Sequence, residues 1–415
     1  MFKRSPACTD ETSVKSGQFD PRLESIRGLA ALMVAGAHAL VVYPTHDWAA
    51  RCTLALRTVL NGDSAVAMFF VLSGLVLGMG LQRQGRGTVR EFCAYALRRV
   101  FRIYPILILS TAMILSFLMV ARNHAGPGFW FSHILDYRRS VLNTDSVPAG
   151  RIIMANFLLL SAALNPVTWT LGVEMISSLM LPLAHYARVR LPASGTWLLL
   201  AVAGLIALLG KWFLLLGWVR FEGAFNWEML NFFYLFYLGY LLPIVGPRLF
   251  ARAKSSRATS VALLAPALGL LLSANWFMDT YRLGAGLGAW MLLGVLLYGF
   301  PLTAFRGLEW PVVRFFGRIS YSFYLLHDLV LICVARLGAQ YVFHGRVPEY
   351  PLFVNLVLVA VSICLAAPLA SAAHRWIELP FIQLGKQWAG RMTSPRESAE
   401  NPRPVEVSAG ANVSA

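Results

Sequence analysis

Arg27 and His38 lie eleven residues apart inside one apolar run, Leu23 to Tyr43. At about 3.6 residues per turn this spacing is close to three whole turns, so on a helix both side chains leave from one face, roughly 16 Å apart along the axis. The pair combines a fixed cation with an imidazole, whose proton exchanges near neutral pH and which therefore suits a general base or a proton relay. A histidine hydrogen-bonded to a neighbouring helix for packing is the structural alternative. Glu174 follows in the segment Trp169-Thr170-Leu171-Gly172-Val173-Glu174, at the depth assigned to His38. A carboxylate there orients or charge-stabilises an imidazole, as the third member of a triad does, or else forms a buried ion pair, with Lys211 the nearest candidate. Arg99 and Arg102 are three apart in Arg98-Arg99-Val100-Phe101-Arg102 and share a helix face. Two guanidinium forks suit phosphates, although such a cluster is also what a cytoplasmic stop signal looks like. His327 ends Ser320-Tyr321-Ser322-Phe323-Tyr324-Leu325-Leu326-His327 with Asp328 beside it, and it joins the candidates. Arg375 and Glu378, at i and i+3, are expected to pair and anchor a helix end.

The elements that carry these residues follow from composition. Of 415 residues 57% are apolar and 13% charged, about half the charged fraction of a soluble domain. That excludes a cytosolic enzyme, a disordered chain and a disulfide-stapled secreted module, and leaves an all-α polytopic integral membrane protein. Helix-length apolar windows fall at 23–43, 64–82, 103–121, 168–187, 197–218, 226–246, 259–277, 284–304, 320–341 and 352–373. Between them, cytoplasmic-type connections and the two ends hold 24 of the 36 Lys and Arg, the alternate connections hold 9, and 3 lie within windows. This bias predicts about ten transmembrane helices with N and C termini cytoplasmic. The formal charge of +16 then reports orientation and contact with membrane lipid, and no nucleic acid is expected. Residues 1–22 read as a cytoplasmic tail, 23–381 as one transmembrane domain and 382–415 as a disordered cytoplasmic tail. The outward connection at 122–167 carries a short apolar stretch, Ile152 to Leu160, that fits either a re-entrant segment or an ordinary loop. The five cysteines are scattered without metal-ligand spacing, so no metal is expected. Phosphate-loop, nucleophile-elbow and zinc-protease signatures are absent, which favours base-assisted direct transfer over a covalent enzyme intermediate. A proton-coupled transporter of a small solute or glycan uses the same residue types, but no repeat-related halves support it.

Leu23-Glu24-Ser25-Ile26-Arg27-Gly28 running to His38 resembles the opening motif of the membrane acyltransferase-3 family. Phe69-Phe70-Val71-Leu72-Ser73-Gly74, the Arg99/Arg102 pair before Tyr104-Pro105, Trp169 to Glu174, Tyr321 to His327, and Ile377-Glu378-Leu379-Pro380-Phe381 are similar in the same order. The resemblance spans about residues 22–381 and implies transfer of an acyl group, usually acetyl, from acyl-CoA to a hydroxyl of a glycan or lipid-linked saccharide at a bacterial inner (plasma) membrane. It implies His38 as base, Arg27 as its partner on the same helix, Glu174 as support, Arg99 and Arg102 as donor contacts, and Trp169 and His327 as further site members. Met175-Ile176-Ser177-Ser178 departs from the Gln-Phe-Tyr-like continuation common after the carboxylate.

Overall fold

The computed structural model describes residues 20–82, 88–123, 149–215, 231–273, 281–344 and 346–393. Among them every regular element is helical. The principal helices are α1 (Pro21–Ala39), α2 (Asp47–Val59), α3 (Gly62–Gln82), α4 (Val89–Asn123), α5 (Ala149–Phe157), α6 (Trp169–Arg190), α7 (Ala193–Leu215), α8 (Phe233–Leu249), α9 (Arg257–Leu272), α10 (Tyr281–Tyr298), α11 (Pro311–Leu337), α12 (Pro351–Ala373) and α13 (Leu379–Thr393). The described part of each of the ten apolar windows falls mainly on one of these helices. Five helical runs are long and apolar enough to cross a membrane, or six if Leu283–Tyr298 and Thr303–Glu309, bent by 94°, count as one span. Ser194–Ile206, Phe233–Leu249 and Arg257–Leu272 are apolar but shorter.

Helix α3 is apolar nearly all round, as a helix enclosed by others must be. Phe70, Val71, Leu72 and Leu75 join Leu235 and Phe236 of α8 and Ala285, Ala289 and Leu293 of α10 in the largest buried cluster. The approach of α3 to α8 depends on a missing side chain. A Cβ at Gly74 would fall on the Phe236 carbonyl, and one at Gly239 on the Val71 carbonyl. On the other side α1 and α11 meet at Gly28 and Gly317, whose backbones touch. Such small-residue contacts are how helices approach closely where burial of apolar surface offers no driving force.

Three expectations change. Residues 382–393 of the expected disordered tail are helical, because α13 continues to Thr393, and the rest of that tail, 394–415, lies outside the described residues. Phe381 and Trp388 pack on Phe101 of α4, the first tilted and the second edge-on, and Gly385 lies on the same side chain; this apolar stripe is too short to register as a span. Arg375 does not pair with Glu378. Residues His374–Glu378 form a π-turn, which turns Glu378 inward to Arg102 while Arg375 is exposed and has no ion pair among the described residues. The stretch at Ile152 to Leu160 forms α5 and a turn, with Ile152 and Ile153 packed beside Leu329 and Ile332 of α11. Its preceding loop, 124–148, lies outside the described residues, as does the side chain of Lys211.

Candidate active site

Helix α1 begins where the sequence supplies a start signal. The Asp20 carboxylate accepts from the Arg22 N–H at 2.9 Å and Pro21 occupies the first turn, a good N-terminus because its first N–H groups need partners and proline needs none. Ser25 Oγ then donates to the Leu308 carbonyl at 2.6 Å. At the other end Asn355 of α12, fully buried, donates to the Leu40 and Tyr43 carbonyls at 2.9 Å each and accepts from the Tyr43 N–H at 3.1 Å. One amide thus satisfies backbone groups left open by the helix end, two residues beyond His38. Sequence reading missed Asn355, which is an ordinary polar residue until the facing helix end is known.

Arg27 and Glu174 border one chamber of about 30 Å³, together with Ser73, Thr170, Tyr321 and Tyr324. They form no direct ion pair, and the buried Arg27 Nε has no hydrogen-bond partner. A chamber of this size holds one or two waters, so a small polar group between the guanidinium and the carboxylate fits. Glu174 thus borders Arg27's chamber and is not among the residues that border the His38 chamber. His38 borders a second chamber of about 270 Å³ with Trp169, Asp63 and Arg57, and Tyr324 and Val66 wall both chambers. The Tyr324 hydroxyl lies 3.0 Å from Thr170 Oγ1. His38 meets His327, whose Nε2 lies 3.3 Å from His38 Nδ1. His327 is 2% exposed, and its Nδ1 donates to the Tyr324 carbonyl at 2.7 Å.

On the side of the α4 N-terminus, Arg98, Arg99 and Arg102 line a cavity of about 330 Å³ with Tyr95 and Lys386. Lys386 escaped the sequence reading because it fell in the expected tail. The two paired arginines are unequal. Arg102 Nη1 lies 3.1 Å from Glu378 Oε1 and its guanidinium covers the Tyr321 ring at 5.5 Å. Glu378, 1% exposed, also accepts from Ser322 Oγ at 2.7 Å and meets His374 Nδ1 at 2.9 Å. Arg99 lies over Tyr95, and its buried Nε has no hydrogen-bond partner. Tyr321, whose hydroxyl donates to the Ile103 carbonyl at 2.6 Å, separates this cationic cavity from the Arg27 chamber. The ordered path is thus Arg99 and Arg102, then Tyr321, then Arg27 with Glu174, then Tyr324, then His38. Among the described residues no three His, Cys, Asp or Glu side chains gather in a metal-binding group.

A family model described as an acyltransferase domain, Acyl_transf_3, matches residues 20–371, a stretch that holds every residue of this path. Comparison with curated proteins and with solved structures yields no match.

Proposed function

The chain belongs to the membrane acyltransferase-3 family, and from that premise we propose that it is an O-acyltransferase moving an acetyl group from acetyl-CoA to a sugar hydroxyl of a periplasmic or cell-surface glycan. Its setting is a bacterial inner membrane, crossed ten times, with both termini and the arginine cavity on the cytoplasmic side. The observation that carries the reading is the polar path itself: a cationic cavity at one end, an imidazole at the other, and Arg27 with Glu174 between. Anionic phosphates suit the first, because guanidinium and ammonium groups supply charge-assisted donors. The half-buried imidazole suits the last, where a hydroxyl must lose its proton.

In the transfer step the acceptor hydroxyl gives its proton to His38 while its oxygen attacks the thioester carbonyl. The new C–O bond forms and the C–S bond breaks. The departing CoA thiolate takes the proton back from the imidazolium, so no charge is left on the protein. The middle chamber at about 30 Å³ is too small for an acyl chain, so passage of the donor arm requires its walls, Tyr321 and Tyr324 first, to part.

Purified protein incubated with labelled acetyl-CoA and candidate saccharides should yield a labelled ester, and His38→Ala should slow its formation by about 10²–10⁴-fold in protein that still elutes as a folded monodisperse species. Ester formation undiminished in His38→Ala would overturn the assignment of the base. Saccharide movement across a vesicle membrane without acetyl-CoA would overturn the transferase reading.

A further inference from the structure

A neutral imidazole carries one N–H and one lone pair, and its neighbours decide which nitrogen holds which. His327 Nδ1 lies 2.7 Å from the Tyr324 carbonyl. A carbonyl only accepts, so this nitrogen holds the hydrogen and Nε2 holds the lone pair. That Nε2 faces His38 Nδ1 at 3.3 Å, so the hydrogen between the two rings belongs to His38. The lone pair of His38 is then on Nε2.

The ring geometry supports a bond made edge to edge. The ring centres are 5.4 Å apart with planes 23° from parallel. Their separation exceeds the nitrogen-to-nitrogen distance by 2.1 Å, about two ring radii, so both nitrogens lie nearly on the line joining the centres. Face-to-face stacking would not place them there. His327 itself is buried and does not border the outer chamber, whereas His38 does. The anchor is local to α11, since the accepting carbonyl is three residues back on the same helix. It reaches α1 because Gly28 and Gly317 let the two backbones touch.

We infer that His327 is a positioning residue: through its Tyr324-anchored ring it holds His38 in the Nδ1-protonated tautomer and so makes Nε2 the nitrogen that takes the acceptor's proton. The inference rests on His38 being the base of the proposed acyl transfer. It assigns to a second histidine the orienting task that a carboxylate performs in a Ser-His-Asp triad, and Glu174, which borders the other chamber, is left free for Arg27.

The test uses the full-length protein, labelled acetyl-CoA and a saccharide acceptor. His327→Phe removes the accepting nitrogen but keeps the ring volume, and kcat should fall by about 10²–10⁴-fold, the range for a displaced general base, with KM for acetyl-CoA unchanged. His327→Gln restores an accepting oxygen and should keep kcat within about 10-fold of the wild type. In the His38→Ala background, His327→Phe should cause no further loss, because the two residues act as a unit. A wild-type kcat in His327→Phe, an equal loss in His327→Gln, or additive losses in the double variant overturns the inference. If His38→Ala itself leaves transfer intact, the base assignment fails first and separately. Should His327→Phe not fold, ¹⁵N NMR of selectively labelled histidines in the wild type decides: a bare Nε2 and a protonated Nδ1 at His38 are expected, and the opposite tautomer refutes the proposal.

Discussion

Arg99 and Arg102, one turn apart, invite equal roles in sequence, yet their surroundings divide the work. Arg102 is held by Glu378 at 3.1 Å and by the Tyr321 ring, whereas the Arg99 Nε has no hydrogen-bond partner in a cavity it shares with Lys386. Arg99→Gln should therefore raise KM for acetyl-CoA about 10-fold or more, the worth of one hydrogen bond to a charged group, with an unchanged melting temperature. Arg102→Gln should leave the Glu378 carboxylate buried with only Ser322 and His374 and lower stability by about 2 kcal/mol, below the usual loss for a fully buried pair because Arg102 is partly exposed. Steady-state kinetics and thermal melting in detergent separate the two, and the reverse pattern would overturn the division. Arg27, His38, Glu174 and His327 were visible in sequence because an ionisable group in an apolar run is costly without a purpose. Tyr324 and Asn355 were not, since a tyrosine or an asparagine near a helix end is common, and Glu378 was seen but given the wrong partner. Their meaning comes from the helix opposite, and a single sequence carries no record of which helices face each other.

At the scale of elements, the base is held by the way α1 is fastened at both ends. Asn355 closes the C-terminal end through three hydrogen bonds to residues 40 and 43. Asn355→Leu leaves those buried groups unmatched, at a cost of about 1–3 kcal/mol, and loosens the turn that carries His38. A lower melting temperature and a reduced kcat at unchanged KM for acetyl-CoA are expected; unchanged kcat would show that the turn is held without it. Gly74 makes a different demand. Its Cβ position is taken by the Phe236 carbonyl, so Gly74→Ala forces α3 away from α8 and should destabilise by about 1–3 kcal/mol, read as lost yield of folded protein. An alanine variant that melts like the wild type would contradict this close approach. Hydropathy found the long helices because their apolar length is the signal. It missed α2 and α13, of 13 and 15 residues, since amphipathic helices of that length fall below the span threshold. It also misplaced Glu378, because a one-residue change of register in a π-turn leaves no mark in composition.

For the whole molecule, the proposed orientation follows from an uneven division of cations, 24 against 9, and it sets the direction of transfer: donor at the arginine cavity, acceptor at His38. Helix packing alone has no inside or outside, so this is the level at which charge in the connections says what coordinates do not. The chain carries its own reporters. Cys52 is exposed on α2, the helix whose Arg57 borders the His38 chamber, and Cys93 is exposed at the start of α4, the helix whose Tyr95 borders the arginine cavity. With the other cysteines replaced by serine, a membrane-impermeant maleimide added to intact cells should label the Cys52-only protein at once and the Cys93-only protein only after the membrane is opened. Labelling of Cys93 in intact cells would invert the molecule, placing the cationic cavity where acyl-CoA is not found, and with it the proposed donor route would fall. Labelling of both or of neither before permeabilisation would break the alternation of connections and hence the even number of crossings. The two ends of the polar path can thus be assigned to the two sides of the membrane before any substrate is known.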